Sequence, residues 1–188
     1  MLAAPGKSPK PVDWKVVRAD YDLFIKKPTS GHAKKLAKAL PEQITQPPEE
    51  IPGRNETLAY ILDDPKWESF KNIVKKPKPA YIQLMFRLMN ITDEDYSSEL
   101  ESIIETYVSV MPEDFLKNSQ NASDFQLRGI FGAFNGDEED EDNARQAGEL
   151  NANYAALEKV KNKKYIQVRN RCLDILKIFI EERESRKE

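Results

Sequence analysis

The sequence predicts an all-α chain of about nine or ten helices, paired as antiparallel hairpins in a compact or short solenoid-like bundle. Apolar residues recur at intervals of three and four along most of the 188 residues. Prolines and capping Asp, Ser or Thr residues punctuate those stretches at the places where helices start and stop. No segment shows a convincing strand pattern. At 188 residues the chain is long enough to bury roughly 70% of its extended surface, so it needs no disulfide or metal to hold it together.

Residues 1–12, with Pro5, Pro9 and Pro11, read as an extended tail with too little apolar surface to hold itself down. Residues 13–188 read as a single helical domain. In 13–40, Asp13 caps a first helix over 14–27 whose Trp14, Val17, Tyr21 and Phe24 share a face; Pro28 ends it. Thr29 or Ser30 starts its partner, and Pro41 closes the pair. Residues 41–54 carry four prolines and read as a loop. The central helices fill 55–133, starting with 55–62. A helix over 66–75 is opened by Asp64-Pro65, and one over 80–90 has an apolar face so broad that it must be central. Thr92 with Asp95 resembles a capping box for a long helix to Val110, Pro112 opens a short one, and Ser123 caps another. An acidic loop is expected at 134–143 and a C-terminal helix pair at 144–188.

Two features suggest repetition. Phe24-Ile25-Lys26-Lys27-Pro28 is echoed by Ile73-Val74-Lys75-Lys76-Pro77, and at the same offset Leu36 and Leu40 align with Met85 and Met89. Residues 80–118, from Tyr81-Ile82-Gln83-Leu84-Met85 through Asp95-Tyr96 to Met111-Pro112-Glu113, resemble one unit of a HEAT-like helical repeat. That resemblance implies a binding scaffold.

The chemistry-bearing residues are few. The chain has one histidine, His32, and one cysteine, Cys172, which excludes a Cys/His zinc site and an internal disulfide. His32 falls at the start of a lysine-rich helix and reads as a surface residue. Cys172 shares a stripe with Val168, Ile175, Leu176 and Phe179 and reads as core. There is no phosphate-binding glycine loop and no Gly-x-Ser-x-Gly elbow, so neither a cofactor nor a catalytic residue is assigned.

The six consecutive acids at 137–142 could collect a hard cation, with Asp137, Glu138, Asp140 and Asp142 as candidate metal ligands, but they lack the EF-hand alternation. Asp93, Glu94 and Asp95 form a second candidate group. Charge is unevenly spread: residues 1–40 hold nine Lys or Arg against three acids, whereas 81–116 hold one Arg against eight. A net charge of −3 and the lack of aromatics among the lysines speak against nucleic acid as a partner.

The reading that follows is a non-enzymatic interaction or structural domain whose partner is another protein or itself. The alternative is a metal-dependent enzyme or cation-binding protein using clustered carboxylates. The richest apolar stretch, 80–89, contains Gln83 and Arg87, so no transmembrane segment is expected. Met1-Leu2-Ala3-Ala4-Pro5 is compatible with a signal peptide removed before Ala3 or Ala4; a cytoplasmic location is favoured over export.

Overall fold

The computed structural model describes residues 11–42, 52–132 and 140–185, and these form ten α-helices and one 3-10 turn with no strand. Helix α1 (Trp14–Lys26) opens at Asp13, whose Oδ1 accepts from the backbone N–H groups of Lys15 at 3.1 Å and Val16 at 3.3 Å. Helix α2 (Ser30–Ala39) is capped by Thr29, whose hydroxyl accepts from His32 N at 3.2 Å. Each cap satisfies donors that the first helical turn leaves without an intrahelical partner. Helix α3 (Arg54–Ile61) follows Gly53, which stands at φ 75° with Trp14 Cβ 3.5 Å from where a side chain would begin. Glycine is required there, because other residues adopt that backbone at a cost. Helix α4 (Asp64–Val74) and helix α5 (Pro79–Met89) each carry proline in the first turn.

Helix α6 (Glu94–Val110) departs from the expected cap by one residue. Asp93 provides it, accepting from Tyr96 N at 3.4 Å, while the Thr92 hydroxyl donates back to Leu88 O at 3.1 Å and finishes α5. Threonine preferred the nearer carbonyl, and aspartate took the cap. Helix α7 (Pro112–Asn118) is a short link to α8 (Asp124–Gly132). The start of α8 is a reciprocal box: Ser123 Oγ accepts from Gln126 N, and Gln126 Oε1 accepts from Ser123 N, each at 3.1 Å.

Helix α9 (Asp140–Glu158) begins four residues earlier than expected, so 140–143 are helical rather than loop. After a 3-10 turn at Lys163–Tyr165, α10 (Ile166–Ser185) completes the chain. Most of the expected tail (1–10 of 1–12), most of the Pro-rich loop (43–51) and residues 133–139, with the first three acids of the acidic run, lie outside the described residues.

Helix α5 is central, as its broad apolar face requires. Ala80, Tyr81, Ile82, Leu84, Met85, Phe86, Leu88 and Met89 are all buried, against α2 on one side and α6 and α7 on the other. Helices α2 and α5 run parallel: Tyr81 Oη donates to Pro28 O at 3.2 Å at one end, and Asn90 Nδ2 donates to Glu42 O at 2.6 Å at the other. The helix pairs α1–α2 and α9–α10 form as expected. The echoed segments do not make equivalent hairpins, because α4 packs on α1 and α6 rather than along α5. One contiguous apolar cluster runs from Trp14 to Leu176. Among the described residues no helix is long and apolar enough to cross a membrane.

Candidate interaction cleft

The first two turns of α6 rise beside α8, and the end of α5 and Phe179 of α10 close the sides of an open cleft of about 1010 Å³. Helical spacing brings its polar groups to one wall: Glu94, Ser98 and Glu101 lie three and four residues apart on α6. Opposite them α8 contributes Phe125, Gly129 and Gly132, again at helical spacing. The end of the cleft is pinned by Gln126 Nε2, which donates to Asn90 Oδ1 at 2.9 Å. Thr92 and Ser97 share a hydroxyl hydrogen bond of 3.0 Å beneath it. Phe125 stands 79% exposed, although a phenyl ring gains free energy from leaving water.

Glu101 is the distinctive titratable group. Partial burial, reinforced by the charge of Glu94, pushes its carboxyl up to about 7. Its place depends on a missing side chain: a Cβ on Gly129 would lie 2.5 Å from the Glu101 carboxylate. Gly129→Ala is therefore expected to drive that carboxylate toward solvent and lower its pKa toward 4.5, the ordinary value. A carbon-detected NMR titration of Glu101 checks this; an unchanged midpoint near 7 would show that Gly129 does not seat it.

Of the acids singled out in the sequence, Asp93 and Glu94 line the cleft, with Asp93 engaged as the α6 cap; Asp95 is exposed and does not line it. Asp137 and Glu138 lie outside the described residues, and Asp140 and Asp142 fall in the first turn of α9. Among the described residues no group of three or more His, Cys, Asp or Glu side chains is placed to hold a metal ion. His32 is half-buried, with Nδ1 2.7 Å from Lys27 O. Cys172 is fully buried in the core, and burial pushes its thiol up to about 12, which removes thiolate reactivity at neutral pH.

The sequence did not disclose Glu101 and Phe125 as site residues. The Glu94-to-Glu101 spacing was legible, but nothing local to α6 says that α8 packs beside it with a glycine at the point of contact. No family model, no curated protein and no solved structure matches the chain.

Proposed function

We propose that the chain is a non-enzymatic interaction domain and that the α6–α8 cleft receives a cationic, amphipathic segment of a partner protein. The exposure of Phe125 beside three carboxylates, Asp93, Glu94 and Glu101, carries this reading. Aromatic anchors at the centre of a contact supply much of its affinity, and surrounding charge sets partner choice and encounter rate. Arg128 on the α8 wall would take a carboxylate at the edge of the bound segment. The α5–α6–α7 unit, similar in pattern to a helical repeat, suits a scaffold that presents such a surface.

Fluorescence anisotropy with labelled synthetic peptides tests it. Lysine-rich amphipathic helices are expected to bind in the presence of chelator, and acidic peptides of the same apolar pattern are not. Phe125→Ala should weaken binding by about tenfold or more, and Glu94→Gln with Glu101→Gln should flatten its salt dependence. Binding that needs a divalent cation, or that ignores these three residues, would overturn the reading. Light scattering on the free chain reports whether a second copy fills the same cleft.

A further inference from the structure

The two Lys-Lys-Pro segments are 49 residues apart in sequence, yet they meet at one end of the molecule. Tyr81 Oη donates to Pro28 O at 3.2 Å and accepts from Lys78 Nζ at 3.0 Å, which sets the Lys78 ammonium against the 26–29 loop. Close by, Tyr107 Oη donates to the carbonyls of Val74 and Lys76, which fixes the second loop from beneath. Buried tyrosines thus hold both backbones while the lysines point away. Lys26, Lys27, Lys75 and Lys76 are exposed and Lys78 is half-buried.

The nearest acid in sequence to these loops is Asp22, one turn before Lys26 on α1, and it accepts from Tyr60 Oη at 2.7 Å. Neither 23–41 nor 69–92 contains a single Asp or Glu. Among the described residues the salt bridges involve Lys35, Lys66, Lys71, Arg87, Arg171 and Lys177, and none of the five loop lysines. Five ammonium groups gathered on two anchored loops repel one another, at a cost that a bound anion would remove. Helices α2 and α5 begin at these loops while α1 and α4 end there, so the helix dipoles offset one another and the lysines supply the positive charge.

We propose that the paired loops form one binding site for a compact, soluble polyphosphate, a small molecule carrying several clustered phosphate groups. Lysine ammonium groups on flexible stems suit phosphates as point charges without demanding one geometry. Apart from their prolines, the loops Lys-Lys-Pro-Thr and Lys-Lys-Pro-Lys-Pro offer no apolar side chain to enter a bilayer. They offer no exposed aromatic to stack a base either. The site lies apart from the α6–α8 cleft and stands whether or not that cleft binds a peptide.

Isothermal titration with inositol hexakisphosphate at physiological salt is the test. Saturable binding of one molecule per chain is expected. It should weaken by about tenfold or more both in Lys26→Gln with Lys27→Gln and in Lys75→Gln with Lys76→Gln, since each pair supplies part of the charge-assisted contact. Lys15→Gln with Lys177→Gln, an equal change of charge elsewhere, should leave it nearly intact. On the unaltered chain the same probe should shield the loop lysines from acetylation, read by mass spectrometry, and sulfate at equal ionic strength should not. The proposal is overturned by absent or non-saturable binding, by equal loss in the control pair, by indifference to either loop, or by tighter binding to phosphoinositide vesicles or duplex DNA.

Discussion

Replacing Phe70 with alanine is expected to destabilise the fold by about 4 kcal/mol, the usual cost of a large cavity in a packed core. Phe70 is fully buried and is the ring on which the N-terminal half converges. Trp67 stacks on it at 5.3 Å between centroids, Tyr21 at 6.1 Å, and Phe24 meets it tilted at 5.9 Å. These rings come from α1 and α4, so the cavity would lie where those helices meet and could not close without separating them. Thermal unfolding should fall by roughly 10 °C for a domain of this size. Phe125→Ala, which removes an equally large ring from the exposed wall of the cleft, should change stability by less than about 0.5 kcal/mol. Urea unfolding of the two variants measures the contrast. Equal losses would mean that Phe125 is a core residue and not a contact.

The second large effect is expected at Glu105, on the opposite half of the molecule. Only 3% exposed on α6, it accepts from Asn153 Nδ2 of α9 at 3.4 Å, and among the described residues its Oε2 has no hydrogen-bond partner. Burial, with the charge of Glu149 adding to it and that of Arg183 opposing, pushes the carboxyl up to about 8. The folded chain therefore keeps a proton that the unfolded chain releases near 4.5. Below that pH both states are protonated and Glu105 costs nothing by ionisation. Between about 4.5 and 8 the folded state binds the extra proton, so its contribution to stability falls as pH rises, by at most about 1.4 kcal/mol per unit. Above 8 the loss is complete and flat. Glu105→Gln retains the acceptor for Asn153 and removes the titration. It should leave stability at pH 4.5 almost unchanged and raise it clearly at pH 8, as measured by urea unfolding across that range. A variant less stable than the native chain at pH 8 would show that ionised Glu105 is held favourably by its neighbours.

Much of this fold was legible because its signals are local. Asp13, Thr29 and Ser123 cap helices where the sequence placed them, and the broad apolar face of 80–90 required the burial that α5 shows. Thr92 misled by one position because its hydroxyl turns back to the Leu88 carbonyl, which also accepts from the Thr92 backbone N–H, and no spacing rule reports that. The Lys-Lys-Pro echo suggested duplicated hairpins. Instead α4 turned onto α1 and α6, and the echo survives as two loops brought together by Tyr81. The cleft was the least legible feature, since it depends on α6 meeting α8, with Gly129 leaving room for Glu101. Neither residue is marked within its own helix.

The central claim is that the α6–α8 cleft is the docking surface, and a titration followed by two-dimensional NMR tests it most directly. A lysine-rich amphipathic peptide added to the labelled chain should move the signals of Glu101, Phe125, Gly129 and Gly132 together along one saturable curve, leaving those of the lysine loops unmoved. Movement confined to other surfaces, or none at peptide concentrations well above those used in the anisotropy measurement, would contradict it.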